Sequence, residues 1–154
     1  MISLAETYTT PSDLEHLHRR LISESQDDHR MGVNEVDMCA LHVEGKKYCL
    51  LRARSAKPHV DPDFPEWAVL WVLRSSGHTL GIADHVPRHG GFASRRPIKS
   101  PGLSYVPLIS GHIVLFNAHR THWMDAVTDK STMAAISVDF RIRPGLPDII
   151  ESLS

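Results

Sequence analysis

Short apolar segments, separated by polar breaks, follow one another along most of the chain. From residue 36 onward, segments such as WAVLWVL, HIVLF and MAAISVDFRI are rich in branched and aromatic residues, and Gly, Pro, Ser and Asp fill the breaks between them. Segments of this length and composition are typical of β-strands. The pattern predicts an antiparallel sandwich or barrel over about residues 36–143.

The segment before residue 36 has helical spacing instead. Apolar side chains recur there on one helical face, at Leu14, Leu17 and Leu21. Thr10 is a suitable N-cap residue, and Pro11 occupies the first helical position. We therefore predict a helix over about residues 11–24 that packs against the sheet. One helix followed by many strands predicts a mainly β domain with a supporting N-terminal helix.

Length and composition fit one globular domain. The chain has 154 residues, of which 42% are hydrophobic, and its formal net charge is -1. A chain of this size can bury one core, so we expect a single domain over residues 1–154, and the near-neutral charge excludes a generally polycationic nucleic-acid binder. No apolar segment approaches the ~18 residues of a membrane span, and the N-terminal residues do not resemble a signal peptide. We expect a soluble, cytoplasmic protein with no membrane partner.

Two cysteines lie in consecutive predicted strands, Cys39 before and Cys49 after a turn at Glu44 and Gly45. The two strands form a predicted hairpin, so the cysteines could approach each other. Thiols of cytoplasmic proteins stay reduced, however. We therefore predict two free thiols rather than a disulfide.

A His-x-Asp triplet, residues 59–61, precedes the strand segment WAVLWVL. Two residues apart on an extended chain, His59 and Asp61 project to the same side. Far downstream, the segment GHIVLFNAHRTH places His119 and His122 directly after another apolar strand. A facial non-haem Fe(II) site needs two imidazoles and one carboxylate on one face of the metal. The triplet alone is a weak motif, because the chain contains 11 His and short motifs recur by chance.

The order of five segments, HVDP, WAVLWVL, GHTLGI, GHIVLFNAHRTH and STMAAISVDF, resembles the core of the Fe(II)/2-oxoglutarate-dependent oxygenases, especially their prolyl-hydroxylase-like branch. The resemblance covers roughly residues 49–140 and implies a double-stranded β-helix, a jelly-roll or cupin-like fold. It also implies that Fe(II) is bound by His59, Asp61 and a distal histidine, with 2-oxoglutarate as cosubstrate. His122 matches the distal position, and His119, earlier in the turn, is the weaker candidate.

The sequence departs from this family at the start of the last strand. Family members carry an Arg or Lys there that pairs with the distal carboxylate of 2-oxoglutarate, whereas this chain has Met133. Alternation places Ser137 on the face of Met133, where its hydroxyl could hydrogen-bond a carboxylate. For the missing charge we predict Arg74, which alternation turns toward the barrel; Arg54 and Arg141 are lesser candidates. The alternative is that Arg74 opens the turn RSSG and points to solvent.

A basic segment, HVPRHGGFASRRPIKSPG, has the Gly and Pro content of a long loop and no acidic residue. In the family that this chain resembles, an insert at this point commonly borders the mouth of the active site. Arg95, Arg96 and Lys99 would then favour an anionic substrate, such as a phosphate-bearing molecule, nucleic acid or an acidic peptide. The alternative is a solvated basic loop.

The function expected from these features is that of an Fe(II)/2-oxoglutarate-dependent dioxygenase, which hydroxylates or demethylates an anionic substrate. Two alternatives remain open. One is a cupin-like metal protein with non-oxidative activity or ligand binding in the same barrel. The other is a metal-free β-barrel module whose basic loop recognises an anionic partner. Metal content separates the last from the others, and succinate release separates the first two.

Overall fold

The computed structural model describes residues 4–25, 36–84, 103–126 and 132–154. Within these ranges the chain forms ten β-strands and two α-helices. The strands are β1 (Ala5–Thr9), β2 (Val36–Val43), β3 (Lys46–Ala53), β4 (Ala56–His59), β5 (Trp67–Arg74), β6 (Thr79–Ala83), β7 (Leu103–Pro107), β8 (His112–Asn117), β9 (His122–Asp125) and β10 (Met133–Phe140). The helices are α1 (Glu15–Ser25) and α2 (Leu146–Leu153).

The strands form two antiparallel sheets that face each other. The larger sheet has the order β1-β8-β5-β10-β3-β2, and the smaller has the order β4-β9-β6-β7. One apolar cluster fills the space between them and includes Leu70 and Val114 of the larger sheet with Ile82 and Met124 of the smaller. The described part of the chain is therefore mainly β, as predicted, with the layered arrangement of a β-sandwich.

The pairing from β3 to β10 is nested. β6 pairs with β7, then β5 with β8, β4 with β9 and β3 with β10, and every pair is antiparallel. The chain from β3 to β6 therefore lies along the chain from β7 to β10 like the arms of one long hairpin. Along each arm the strands alternate between the two sheets. This winding brings β4 and β9, which are far apart in sequence, side by side.

Both helices cover the outer face of the larger sheet. Their buried side chains join one apolar cluster with the outward-facing side chains of the strands, including Leu21, Leu50, Trp71, Ile136, Ile149 and Leu153. The outward face of the strands is apolar because alternate residues of β3, β5 and β10 are large and apolar. Both helices fall short of a membrane span of about 20 residues, since α1 has 11 residues and α2 has 8.

The N-terminal segment differs from the prediction in three ways. A 3₁₀ turn occupies residues 12–14, so the α-helix begins only at Glu15. Thr10 does not cap it: the hydroxyl donates to the carbonyl of Gly111 at 2.6 Å and accepts from Trp71 Nε1 at 2.8 Å. Strand β1 before this segment was not predicted, and neither was α2 near the end of the chain. Thr10 thus fastens the chain to the larger sheet.

Cys39 and Cys49 are free thiols, as predicted. They lie on the paired strands β2 and β3, but Cys39 is opposite Leu50 and Cys49 is opposite Ala40. Opposed residues share a face, and neighbours along a strand alternate between faces. The two cysteines therefore project to opposite faces of the sheet, which keeps the sulfur atoms apart.

Candidate metal centre

Three predicted metal ligands converge at one point. His59, Asp61 and His122 each offer one ligand atom within 4.8 Å of the other two. Nε2 of His122 lies 3.1 Å from Oδ2 of Asp61, and Nε2 of His59 lies 3.7 Å from Oδ1 of Asp61. Two ligand atoms that are each about 2.1 Å from one ion, at a right angle, lie about 3.0 Å apart. The group could therefore bind a metal ion.

Strand pairing places the two histidines together. His59 ends β4, His122 begins β9, and the two residues are directly opposite in the antiparallel pair. Opposed residues share a face with Cβ atoms about 5 Å apart, and here the ring centroids are 4.3 Å apart. Phe116 packs edge-on against His122 with a centroid distance of 5.1 Å. The nested winding thus brings two of the three ligands together.

Hydrogen bonds orient both imidazoles in the same way. Nδ1 of His59 donates to the carbonyl of Lys57 at 2.6 Å, and Nδ1 of His122 donates to the carbonyl of Arg120 at 2.8 Å. Each bond keeps the proton on Nδ1 and holds the ring plane, as outer hydrogen bonds do for metal-ligating histidines. Both Nε2 atoms are thereby turned toward the Asp61 carboxylate.

The third ligand depends on contacts between two loops. The loop after β4 carries Asp61, whose backbone N–H donates to the carbonyl of Ala118 at 3.0 Å. The N–H of Ala118 donates in turn to the carbonyl of Glu66 at 2.7 Å, and the Asn117 amide donates to the Glu66 carboxylate at 2.9 Å. The loop between β4 and β5 is therefore held against the turn between β8 and β9, which fixes Asp61 beside His122.

His119, the weaker candidate for the distal ligand, lies outside the group. Its Nε2 donates to the carbonyl of Phe64 at 2.8 Å, and its backbone N–H donates to the Asn117 side chain at 2.9 Å. These bonds give His119 a role in joining the two loops. The geometry therefore brings His122, and not His119, to His59 and Asp61.

The electrostatics of the group favour metal-binding protonation states. Burial lowers the pKa of His59, and the neighbouring His122 lowers it further. Burial alone would raise the pKa of Asp61, but the hydrogen bond and charge of His122, together with His59, outweigh burial and lower it. A metal binds neutral imidazole and ionised carboxylate, so both shifts favour coordination.

The group opens onto a cavity of about 190 Å³ between the two sheets. The wall is mostly apolar and includes Leu51, Ala68, Leu70, Leu80, Phe116 and Met133. Val36, Met38 and Phe64 also line it, and these three are exposed large hydrophobics. They therefore mark its mouth. Two polar side chains of β10, Ser137 and Asp139, complete the described wall.

Some of the residues predicted to bind 2-oxoglutarate line the cavity, and others do not. Met133 and Ser137 line the cavity, on the face that alternation predicted. Within the described ranges, however, no Lys or Arg lines it. Arg54 and Arg141 are exposed, and Arg141 borders a different groove beside α2. The described wall thus lacks the cation that a distal carboxylate of 2-oxoglutarate requires.

The prediction that Arg74 faces the barrel is wrong. β5 pairs with β10 through Val72 opposite Ala135 and Arg74 opposite Ala134, which leaves Leu73 as an extra residue. A bulge of this kind reverses the alternation beyond it. Arg74 therefore points to the helix layer, where its Nη2 donates to the carbonyl of Ser25 at 2.9 Å.

Arg52 reaches the same carbonyl from β3. Its Nη2 donates to the carbonyl of Ser25 at 3.0 Å, beside Arg74. Burial lowers the pKa of Arg74, and the charge of Arg52 lowers it further. The carbonyl at the end of α1 carries the partial negative charge of the helix dipole, so it offsets part of this repulsion. The two guanidinium groups thus cap α1.

Two other outcomes concern charged residues. Asp139 received no predicted role, although it lies two residues after Ser137 in β10 and alternation therefore puts both on the cavity face. Arg95, Arg96 and Lys99, the predicted anion-binding loop, lie outside the described residues, so that prediction stays a prediction.

A scan against models of known protein families and a search of curated proteins each gave no match for this chain.

Proposed function

We propose that this chain is a non-haem Fe(II)-dependent oxygenase on a double-stranded β-helix, with His59, Asp61 and His122 as the iron ligands. The observation that carries the proposal is the convergence of two Nε2 atoms and one carboxylate at the edge of an apolar cavity. Bound Fe(II) would supply oxygen activation, for which two imidazoles and one carboxylate on one face leave coordination positions open.

The strand pairing supports the fold in this proposal. Eight strands, β3 to β10, are wound as one long antiparallel hairpin whose arms alternate between two sheets. This is the arrangement expected of a jelly roll, in which four strands of each sheet form the core. β1 and β2 extend the larger sheet beyond those eight strands.

The donor chemistry of His122 also supports a metal. Its Nδ1 proton is committed to the Arg120 carbonyl, so a neutral His122 turns the lone pair of Nε2 toward the Asp61 carboxylate 3.1 Å away. Two lone pairs at this distance repel each other unless a cation or an additional proton lies between them. A divalent ion can accept lone pairs from His122, Asp61 and His59 together. A proton can bridge only one pair of these groups, such as His122 and Asp61.

The other residues of the site have separable tasks in this proposal. The carbonyls of Lys57 and Arg120 orient the imidazoles, and His119 holds the loop that carries Asp61. The apolar wall excludes water from the space beside the ligands, because it offers few polar groups that could bind water. A substrate in the cavity would therefore meet the open side of the site in a dry environment.

2-Oxoglutarate does not fit the described part of the cavity. Ser137 could donate one hydrogen bond to a carboxylate, but the described wall holds no cation, and Asp139 would repel a dicarboxylate. This observation favours a second candidate function, a cupin-like metal protein that binds or converts its ligand without 2-oxoglutarate. The same three ligands serve both candidates, so metal binding alone does not separate them.

Anaerobic titration with Fe(II), with and without 2-oxoglutarate, tests both candidates. We expect one equivalent of Fe(II) to bind, and Asp61→Ala or His122→Ala to abolish binding while far-UV circular dichroism stays unchanged. The exposed His16→Ala is the matched control that should retain the metal, whereas His119→Ala, which frees the loop of Asp61, should weaken binding without abolishing it. A visible charge-transfer band on adding 2-oxoglutarate would support the oxygenase that uses it; Fe(II) binding without that band would favour the second candidate. A wild-type protein that binds no divalent metal would contradict both.

A further inference from the structure

One carboxylate of the cavity is not accounted for by the metal group. Asp139 lies near the end of β10, opposite Ala68 of β5, and both residues line the cavity. Asp139 does not belong to the cluster of ligand atoms formed by His59, Asp61 and His122. Across the described residues it has no hydrogen-bond or ion-pair partner.

Asp139 is exposed at the cavity mouth, and its surroundings nevertheless disfavour a negative charge there. Burial raises the pKa of Asp139, and the carboxylate of Asp61 raises it further. If a metal ion binds to His59, Asp61 and His122, the carboxylate of Asp61 neutralises part of its charge before Asp139 does. Asp139 thus presents a charge at the cavity mouth that a ligand could neutralise, since no Lys or Arg of the described ranges lines the wall.

The remaining wall limits the kind of ligand further. It is apolar, and the exposed side chains at the mouth, Val36, Met38 and Phe64, are apolar as well. Such a wall favours a hydrocarbon chain, which gains free energy when its surface leaves water. An anionic group beside Asp139 would meet no Lys or Arg among the described residues of the wall. A hydrocarbon chain that carries one positive charge matches both features.

We propose that the cavity binds an alkylammonium group, with Asp139 as its counter-charge and the apolar wall as the site of its hydrocarbon chain. This inference rests on the proposed function in so far as the cavity is taken as the substrate site. It gives Asp139 the role of a specificity-determining residue. The basic loop, in contrast, predicted an anionic substrate. One set of ligands that differ in charge therefore distinguishes the two predictions.

The test compares three ligands with the same six-carbon chain at pH 7 and low ionic strength: hexylamine, which is protonated, hexan-1-ol and hexanoate. Calorimetry or ligand-observed NMR should show hexylamine binding about threefold more tightly than hexan-1-ol, as an exposed ion pair provides, and hexanoate binding most weakly. Butylamine should bind more weakly than hexylamine, by about fourfold for each methylene that the wall buries. A capped peptide with one lysine shows whether a protein side chain or only a small amine is accepted.

Variants assign the preference to Asp139. Asp139→Asn should bring hexylamine to the affinity of hexan-1-ol, and Asp139→Glu, which keeps the charge, should restore most of the preference. Asp13→Asn makes the same charge change at an exposed position on the helix side, so it should retain the wild-type preference. Equal binding of hexylamine and hexan-1-ol by the wild type, or tighter binding of hexanoate, would overturn the inference.

The same titrations on chelator-treated and on anaerobic Fe(II)-loaded protein separate this inference from the proposed function. Unchanged Fe(II) affinity in Asp139→Asn, together with the lost amine preference, supports a role in ligand recognition. A preference that disappears when Fe(II) is bound would show that Asp139 only balances the ion, and would overturn the inference. A protein that prefers hexylamine but binds no Fe(II) would overturn the proposed function and leave the amine site standing.

Discussion

The two faces of the larger sheet differ in what they hold. The outer face packs against α1 and α2 through side chains that are completely buried, such as Leu50, Trp71 and Ile136. The inner face packs against the smaller sheet but leaves a cavity beside His59 and His122. The same strands supply both faces through alternate residues. Stability is therefore expected to depend mainly on the outer face and ligand binding on the inner face.

The charges follow the same division. Arg52 and Arg74 lie on the outer face, where they cap α1, whereas Asp139 lies on the inner face and Asp61 lines the same cavity from the loop after β4. The sheet thus separates two cations from two anions by its own thickness. With two carboxylates and no Lys or Arg among its described lining residues, the cavity favours cations over anions. Each of the following predictions tests one side of this comparison against the other.

Metal binding should have the largest effect on the free energy of unfolding, and this effect should depend on residues that line the cavity. At a free Fe(II) concentration a thousand times the dissociation constant, the free energy of unfolding should rise by about 4 kcal/mol. Asp61→Ala should show no such rise, whereas Arg74→Met, on the outer face, should show all of it. Anaerobic denaturant unfolding measures both. An equal rise in Asp61→Ala would place the metal elsewhere.

Removal of leucine side chains should separate the two packing layers. Leu50→Ala on the outer face should lower the free energy of unfolding by about 3 kcal/mol, because a fully buried side chain leaves a new cavity. Leu70→Ala on the inner face should lower it by only about 2 kcal/mol, since Leu70 already borders a cavity. Urea unfolding measures the difference. A larger loss for Leu70→Ala would reverse the comparison.

Gly81 tests the packing of the smaller sheet. It lies opposite Trp123, and a Cβ at this position would clash with the indole ring. Gly81→Ala should therefore lower the free energy of unfolding by about 2 kcal/mol through overpacking. Gly145→Ala is the matched control, because its Cβ would meet Asp148 and Pro147 at an ordinary 3.6 Å. Equal stability of the two variants would contradict the close contact.

Arg74→Met should have a smaller effect that is confined to the outer face. The variant loses a charged hydrogen bond to the carbonyl of Ser25 but also the repulsion by Arg52, so we expect a net loss of about 1 kcal/mol. Its affinity for Fe(II) and for any cavity ligand should equal that of the wild type. A selective loss of 2-oxoglutarate binding would restore the original prediction for this residue.

The smallest expected effect is on the reactivity of Cys49. Burial raises the pKa of this thiol, and the charge of Asp139 raises it further. Less thiolate is therefore present near pH 8, and alkylation should be slower than for the exposed Cys39. Asp139→Asn should lower the pKa and speed the alkylation of Cys49 severalfold, as mass spectrometry of the modified peptides would show. An unchanged rate would mean that Asp139 does not act on Cys49.

The sequence predicted those parts of the molecule that depend on local alternation. β5, β8 and β10 each contain a run of apolar residues long enough to identify a strand, and Met133 and Ser137 lie on the predicted face. Spacing beside such strands indicated His59 and Asp61 only weakly, and the choice of His122 over His119 came from the resemblance to a known family. Pairing of β4 with β9 brings the two histidines together, and contacts between two loops add Asp61.

The missed features depend on tertiary contacts. β1 is a short, half-exposed strand that is held by pairing with β8, and its sequence AETYT has no apolar run. The bulge at Leu73 adds one residue to β5, and no residue pattern within WAVLWVLR marks it. Because alternation has a period of two, this single residue was enough to reverse the predicted direction of Arg74.

The nested pairing has a consequence for the order of events during folding. Asp61 and His122 are 61 residues apart, and the pair β4–β9 can close only after the inner pairs have shortened the chain between them, because closing a long loop early is entropically unfavourable. The complete ligand set is then a late product of folding. A metal ion that binds this set should therefore leave the refolding rate nearly unchanged and slow unfolding instead. The ion would stabilise the native state without helping to nucleate folding.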